Sequence, residues 1–86
     1  MTYALIITSH AERQIRKLER QTQAAIGAAV LALRDNPRPP QSIRMAGATT
    51  SRLRVGNYRV LFTIDDVIKT ITVIEVGHRR DVYRQK

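Results

Sequence analysis

The sequence contains no cysteine, which excludes disulfides, thiolate catalysis and cysteine-ligated zinc sites. Its two histidines, His10 and His78, are isolated, and the few acidic residues form no cluster with metal-ligand spacing. No apolar run approaches the roughly 20 residues that a helix needs to cross a bilayer. The first seven residues lack the basic region that opens a secretory signal. These absences predict a cytoplasmic protein that needs no metal or cofactor.

Acidic residues are also scarce, because 7 Asp and Glu stand against 15 Lys and Arg and give the 86-residue chain a formal charge of +8. Such an excess favours polyanionic partners by raising encounter rates and displacing counterions. Nucleic acid is the expected partner, and an anionic membrane surface is the alternative. The length predicts one domain, residues 1–86, with a modest two-layer core and a surface groove in place of a deep cavity.

The N-terminal half predicts one strand followed by two helices. Residues 2–8 are rich in β-branched and aromatic side chains, which is typical of a strand. Ser9 and Glu12 have the spacing of a capping box, so a first helix is expected to start there. A second helix is expected from a cap at Thr22 to the Asn36-Pro37 pair, since proline disfavours helical geometry in the preceding residue. Residues 38–50, with their prolines and small polar side chains, predict an irregular crossover.

The C-terminal half predicts a β-hairpin and a further strand. Residues 52–62 alternate apolar with basic or polar side chains on both sides of a Gly-Asn turn. This alternation places the apolar residues on one face and Arg52, Arg54 and Arg59 on the other. After a turn at Asp65-Asp66, residues 67–76 predict another strand. The order β-α-α-β-β-β therefore predicts an α+β fold, with two N-terminal helices packed on one face of a small, mainly antiparallel sheet and the other face open.

Two segments in this half carry a family resemblance. The first is RLRVGNYRVLFTIDD, residues 52–66, and the second is VGHRRDVYR, residues 76–84. Both resemble the RelE-type toxins of bacterial and archaeal toxin–antitoxin pairs, and the similarity runs nearly end to end. It includes Ala11-x-Arg13-x-x-x-Lys17-Leu18 in the first helix and Asn36-Pro37-Arg38-Pro39 after the second. The related gyrase-poisoning ParE toxins share the fold and part of the pattern.

The resemblance implies a ribosome-dependent endoribonuclease that cleaves mRNA in the ribosomal decoding site and is held inactive by an antitoxin. In such enzymes the ribose 2′-hydroxyl attacks the adjacent phosphate, so no metal or cofactor is needed. By position, Arg59 and Arg79 match the catalytic arginines of the family, which stabilise charge on the phosphate. Tyr83 matches a tyrosine that orients the RNA or stacks on it.

The chain departs from the family pattern at Arg52 and Arg54, where the best-known ribonucleases commonly have lysine. An arginine does not lose its proton in a protein, so it cannot serve as the base that takes the 2′-hydroxyl proton. His78 is the expected substitute, because histidine titrates near neutral pH, and Tyr83 is the second candidate. Residues 42–47 also depart from the usual lysine-rich Lys-Leu-x-Gly.

Further basic residues are expected to contact RNA phosphates, which provide affinity and salt dependence. They are Arg52, Arg54, Arg80 and Arg84 near the cleft, with Arg13 and Lys17 on the first helix. Without the family resemblance, an alternating arginine face is more often simply solvated. Two other functions stay open, a gyrase inhibitor without nuclease activity and a non-catalytic nucleic-acid-binding module.

Overall fold

The computed structural model describes residues 2–45 and 49–78. Its elements are β1 (Ala4–Ile7), α1 (Ser9–Arg16), α2 (Arg20–Ala32), β2 (Ser42–Arg44), β3 (Thr50–Val55), β4 (Tyr58–Asp65) and β5 (Thr70–His78). The strands form one sheet in the order β1-β5-β4-β3-β2. β1 pairs with β5 in parallel, and all other neighbours in this sheet are antiparallel. The predicted α+β fold with a mainly antiparallel sheet is confirmed.

Both helices pack on one face of the sheet, where they bury a single apolar cluster. The helices and the turn after α2 contribute four residues that are at most 2% exposed, namely Ala11, Ile26, Val30 and Leu33. The sheet contributes Leu53, Val60, Phe62, Ile71, Val73 and Val76, which are at most 1% exposed. Burying side chains of this size stabilises a fold by about 1.5–3 kcal/mol each. This cluster therefore fixes which face of each central strand is turned away from the helices.

A β-bulge in β5 reverses the alternation of side chains near its C-terminal end. Leu61 pairs with Glu75, whereas the next residue, Phe62, pairs with Val73, so Ile74 is the extra residue. Because of this extra residue, Val73 and Val76 are both buried although they are three positions apart. The bulge thereby decides that Val76 and His78 face the helices and that Gly77 faces the other way.

Helix α1 begins one residue earlier than its capping box predicts. The N-cap is Thr8, whose Oγ1 accepts a hydrogen bond from the amide of Ala11 at 3.1 Å. Thr8 is also bonded to the sheet, since its amide donates to the carbonyl of Val73 at 3.0 Å. The Ser9 cap is therefore wrong, and Glu12 forms an ion pair with Arg16 at 3.2 Å, one turn along the helix.

The α1 helix also completes the hydrogen bonding of β5 beyond the end of β1. The pairing of β1 with β5 ends at Ile7 and Val73. Further along β5, the amide of Val76 donates to the side-chain oxygen Oε1 of Gln14 at 2.7 Å. The helix therefore takes the place of a strand at this point and fixes the backbone one residue before Gly77.

Helix α2 starts and ends earlier than expected. It begins at Arg20 after Glu19, which makes no side-chain capping bond, so the Thr22 cap is wrong. The side chain of Gln23 stabilises the junction between the helices by donating from Nε2 to the carbonyl of Leu18 at 2.8 Å. The helix ends at Ala32, and the turn that follows leads into Asn36, so the predicted end is about one turn too late.

The predicted crossover contains a short strand that sequence patterning missed. Residues 42–44 form β2, in which Ile43 pairs with Arg52 of β3. Flanking backbone bonds extend this pairing, from the amide of Arg54 to the carbonyl of Gln41 at 3.2 Å and from Met45 to Thr50 at 2.9 Å. A three-residue edge strand is too short for a period-two pattern, and so only tertiary pairing reveals it.

The turn between β4 and β5 is longer than the Asp65-Asp66 pair predicts. The side chain of Asp65 accepts from the amides of Val67 and Ile68 at 3.0 and 3.2 Å, and Lys69 adopts a left-handed conformation with φ of 53°. Val67, expected in the strand, is 91% exposed in this turn, and β5 begins only at Thr70. In the described part of the chain, no helix is long and apolar enough to span a bilayer.

Candidate active site

The arginines of the hairpin lie on the face of the sheet that the helices do not cover. Arg54 is directly opposite Arg59 across β3 and β4, and Arg59 is in turn opposite Gly77 of β5. Arg52 lies two residues from Arg54 and so shares its face. The neighbours Leu53 and Val60 point into the core. The predicted separation of an apolar face from a cationic face is confirmed.

These three arginines line one cleft of about 230 Å³ together with Pro40, Gln41 and Ile43. None of these lining residues is acidic. The described walls of the cleft therefore carry three guanidinium groups and no carboxylate. Like charges placed directly opposite each other across a β-ladder destabilise the pair. An anion bound in the cleft would offset this repulsion between Arg54 and Arg59.

Arg59 lines this cleft and is only 6% exposed. It is the one charged side chain with so little exposure in residues 2–45 and 49–78. Its Nη1 donates to the carbonyl of Tyr58 at 3.4 Å, which is one of the contacts that hold the guanidinium. The residue opposite it in β5 is Gly77, which has no side chain. A group held in this way needs little reorganisation when a phosphate binds, which favours electrostatic stabilisation.

The loop before β2 supplies the wall of the cleft that sequence reasoning missed. The amide and the Oγ of Ser42 both donate to the carbonyl of Pro39, at 3.0 and 2.8 Å. This turn places Pro40, Gln41 and Ile43 beside the arginines of β3. The Pro39-Pro40 pair indicates an extended segment in the sequence, but nothing in it indicates where that segment docks.

The structure does not bring His78 to the Arg59 cleft. His78 is the partner of Tyr58 in the ladder, and the two rings meet edge to face with centroids 5.6 Å apart. Tyr58 and His78 lie on the helix-covered face, because each is one residue from a group on the open face. The prediction that His78 acts as the base in this cleft therefore gains no support from its placement.

The remaining predicted site residues fall into two groups. Arg79, Arg80, Tyr83 and Arg84 lie outside the described residues. Arg79 follows Gly77, the register partner of Arg59, by two positions in the sequence. Arg13 and Lys17 are exposed at the C-terminal half of α1 and just after it, and neither lines the cleft.

A second, larger cleft of about 380 Å³ lies at β2. Its lining includes two arginines, three hydroxyl groups and one carboxylate, from Arg38, Arg44, Ser42, Thr49, Ser51 and Asp66, and also Ile43. Asp66 connects three parts of the chain, because it forms an ion pair with Arg38 at 2.8 Å and accepts from the hydroxyl of Tyr3 at 2.6 Å.

The contacts of Asp66 shift the pKa values of Asp66, Tyr3 and Arg38. The hydrogen bond from Arg38, followed by the one from Tyr3, lowers the pKa of the Asp66 carboxyl. The same contacts raise the pKa of Tyr3 and of Arg38, in both cases mainly through the hydrogen bond to Asp66. The carboxylate is thus stabilised in its charged form, and it holds the Arg38 guanidinium at the wall of the second cleft.

The family model for the ParE toxin of type II toxin–antitoxin systems matches residues 5–83. The chain belongs to this toxin family. Toxin RelG of Mycobacterium tuberculosis is 35% identical over 89 residues, covering 99% of this chain and 100% of RelG. Together these relationships confirm the predicted RelE-type toxin of the RelE/ParE superfamily.

Solved structures of RelE toxins share the fold of this toxin. The toxin–antitoxin complex RelBE2 of Mycobacterium tuberculosis contains a chain that is 31% identical with a TM-score of 0.77, over 92% of this chain and 100% of that one. The archaeal RelE–RelB complex of Pyrococcus horikoshii gives a TM-score of 0.83 at 22% identity, over 92% and 97% of the two chains. The second likeness shows the fold alone.

Proposed function

We propose that this toxin is an endoribonuclease that cleaves mRNA on the ribosome without a metal ion. The observation that carries the proposal is the convergence of Arg52, Arg54 and Arg59 on one cleft, with Arg59 almost fully buried. Guanidinium groups grip phosphoryl oxygens through planar, paired hydrogen bonds and stay charged at any relevant pH. Such a cleft fits a phosphodiester better than it fits an uncharged ligand.

The proposed reaction uses the substrate's own nucleophile. The ribose 2′-oxygen forms a bond to phosphorus while the bond from phosphorus to the 5′-oxygen breaks, leaving a cyclic phosphate and a free 5′-hydroxyl. Negative charge builds on the phosphate oxygens in the transition state, and Arg59 is placed to stabilise it. Arg79 is proposed to stabilise the leaving 5′-oxygen by hydrogen bonding, and that oxygen takes its proton from water.

The proton of the 2′-hydroxyl needs an acceptor, and the arginines cannot provide it. Of the two candidates from sequence, His78 lies beside Tyr58 on the helix-covered face of the sheet. Tyr83 is therefore the better of the two candidates for the acceptor, a role that requires its phenol in the ionised form. A substitution of Tyr83 is expected to lower the cleavage rate more than a substitution of His78 does.

The proposed partners are a cognate antitoxin, mRNA and the ribosome. The solved RelBE2 structure is a toxin–antitoxin complex. The formal charge of +8 and the open cationic face favour an antitoxin segment that is acidic and covers the arginines. Arg13 and Lys17 are proposed to add phosphate contacts, since both are exposed and basic.

Inhibition of DNA gyrase is the second candidate function. The observation that favours it is the family match, because the matching model is that of a ParE toxin. A gyrase inhibitor would need its arginines for contact and not for chemistry. The two functions therefore differ in what happens to nucleic acid after the toxin is induced.

Induction of the toxin without its antitoxin separates these functions. Nuclease activity predicts new 5′ ends on ribosome-bound transcripts, and gyrase inhibition predicts accumulating DNA breaks with intact transcripts. Arg59→Gln is expected to abolish the new 5′ ends while the variant still binds its antitoxin. Arg20→Gln is the matched control, because Arg20 is exposed and lines neither cleft. DNA breaks with intact transcripts would overturn the nuclease proposal.

A further inference from the structure

We propose that Glu75 accepts the proton of the 2′-hydroxyl and that His10 positions its carboxylate. The inference deepens the proposed nuclease function and rests on it. Each of the two acceptors considered above has a difficulty. His78 lies on the helix-covered face, away from the Arg59 cleft. A phenol ionises only near about pH 10, which disfavours Tyr83, whereas carboxylates are ionised at neutral pH.

The strand register places Glu75 on the open face of the sheet, beside Arg59. Glu75 is opposite Leu61 in β4, and the residues on both sides of Leu61 are fully buried in the core. Leu61 and Glu75 therefore face away from the helices. Two positions further along β5, Gly77 is opposite Arg59, so Glu75 is a diagonal neighbour of Arg59. Diagonal neighbours are roughly 7–8 Å apart, a distance that long side chains can reach across.

The carboxylate of Glu75 has oxygens that can accept a hydrogen bond. Its side chain is 17% exposed, and its ion pair with His10 joins Oε1 to Nε2 at 3.9 Å, which is longer than a hydrogen bond. Within residues 2–45 and 49–78 this carboxylate accepts no hydrogen bond, and His10 is its one ion-pair partner. Its ladder partner Leu61 is apolar. The carboxylate can therefore receive the proton of a hydroxyl that reaches it from the cleft.

His10 reaches Glu75 because β1 ends before this point of the sheet. The pairing of β1 with β5 stops at Ile7 and Val73, and α1 begins at Ser9. No strand of the described chain therefore lies between the start of α1 and Glu75. The His10 side chain is 57% exposed, so it connects the carboxylate to solvent. It restrains one carboxylate oxygen and offers the proton a route to water after the reaction.

The order of residues along the chain fits an in-line displacement. Glu75 is two positions before Gly77, and Arg79 is two positions after it in the sequence. In phosphoryl transfer the attacking and leaving oxygens lie roughly in line, on opposite sides of the phosphorus. With the phosphate at Arg59, an acceptor at Glu75 serves the attacking 2′-oxygen. This role is separate from the role proposed for Arg79 at the leaving 5′-oxygen.

The protons of the proposed step balance. The 2′-hydroxyl gives its proton to the Glu75 carboxylate as its oxygen bonds to phosphorus, and the bond from phosphorus to the 5′-oxygen breaks. The 5′-oxygen takes a proton from water, which leaves a hydroxide ion. Glu75 then gives its proton to this hydroxide through the solvent beside His10, and the carboxylate is restored.

The variant Glu75→Gln tests this role with little change in side-chain shape. Single-turnover cleavage of ribosome-bound mRNA by the purified, antitoxin-free toxin should fall about 10²–10⁴-fold near pH 7, the usual contribution of a general base. Glu12→Gln is the matched control, because it makes the same change at an exposed carboxylate that lines neither arginine cleft. This control should cleave at the rate of the unmodified toxin. Both variants should keep the unfolding midpoint of the unmodified toxin.

The pH dependence of cleavage separates proton transfer from a structural role. Rates are measured from about pH 6 to pH 9, and the ratio of the unmodified toxin to Glu75→Gln is taken at each pH, so that effects on the ribosome cancel. Without the carboxylate, hydroxide from solvent must take the proton, so this ratio should fall about tenfold for each pH unit. His10 faces Glu75 from α1 and Arg59 lies beside it in β4. His10→Gln should therefore be measured in parallel, and it should keep the pH profile of the unmodified toxin.

The inference is overturned if Glu75→Gln cleaves as fast as Glu12→Gln, or if the ratio of rates stays constant with pH. It is also overturned if His10→Gln acquires the pH profile of Glu75→Gln, because His10 would then be the acceptor. Failure of the nuclease proposal looks different, since the unmodified toxin itself would not cleave mRNA. That result would remove the role of Glu75 together with the nuclease function.

Discussion

The two faces of the sheet differ in what their central side chains contribute to the protein. On the helix-covered face, Leu53, Val60 and Phe62 are fully buried among apolar neighbours, and their burial accounts for stability. On the open face, Arg54 and Arg59 lie directly opposite each other, and Arg59 is nearly buried. Opposed like charges cost stability, and the proposed anionic ligand would offset that cost. Substitutions on the two faces should therefore separate folding from activity.

The largest effect is expected on the covered face. Phe62→Ala should lower the free energy of unfolding by about 3–5 kcal/mol, because it leaves a cavity in the centre of the core. Toxicity and antitoxin binding should fall together, as the fraction of folded toxin falls. Denaturant unfolding monitored by circular dichroism measures the stability. A Phe62→Ala variant with the unfolding midpoint of the wild type would contradict the assignment of this face.

Arg59→Gln is the matching change on the open face. It should reduce the cleavage rate by about 10²–10³-fold, which is typical for the loss of one donor to a developing oxyanion. Stability should fall much less than in Phe62→Ala, since the side chain retains most of its length and a polar end. Single-turnover cleavage and denaturant unfolding are measured on the same preparation. Comparable cleavage by Arg59→Gln and Arg20→Gln would remove Arg59 from the mechanism.

A smaller effect of opposite sign is expected at Arg54. Arg54→Thr removes one of the two opposed positive charges and places a good strand former in β3, so stability should rise by about 0.2–1 kcal/mol. Cleavage should fall, because the cleft loses one of its guanidinium groups. A gain in stability that shrinks as salt is added would identify the repulsion as its cause. A loss of stability in this variant would show that Arg54 supports the fold.

The smallest expected effect concerns the pH dependence of stability through Asp66, which belongs to neither face. Its pKa is lowered in the folded state by Arg38 and Tyr3, so its contribution is present above the unfolded pKa. That contribution is lost as the pH falls through the folded pKa. Thermal unfolding between about pH 7 and pH 2 should therefore show less acid sensitivity for Asp66→Asn than for the wild type. If the unfolding temperatures of the two proteins fall equally as the pH is lowered, the contacts of Asp66 with Arg38 and Tyr3 do not contribute to stability.

Much of the fold follows from local sequence patterns. The alternation of residues 52–62 predicts both the hairpin and its two faces, and the Asn36-Pro37 pair predicts the end of the second helix to within about one turn. The β-bulge at Ile74 leaves no local sequence pattern, because it depends on which side chains of β5 pack into the core. Sequence reasoning favours His78 as a base from its residue type alone, because the sequence does not reveal that the bulge turns this side chain toward the helices.

The site could be predicted only where the chain is regular. Arg52, Arg54 and Arg59 follow from strand alternation, whereas Pro40, Gln41 and Ile43 come from a segment whose docking depends on tertiary pairing. The same holds for the second cleft, whose Arg38, Arg44 and Asp66 are separated by up to 28 positions in the sequence. Contacts of this range carry no local pattern, and only the folded chain brings them together.

The central claim is that the arginine cleft acts on a phosphate attacked by the neighbouring 2′-hydroxyl of the same RNA. The most direct test replaces that single 2′-hydroxyl by hydrogen in an mRNA bound to the ribosome at its mapped cleavage site, and measures cleavage by the purified toxin. The account predicts that cleavage at this position disappears while the unmodified mRNA is cut to a cyclic phosphate and a 5′-hydroxyl. Unchanged cleavage of the 2′-deoxy substrate would contradict it.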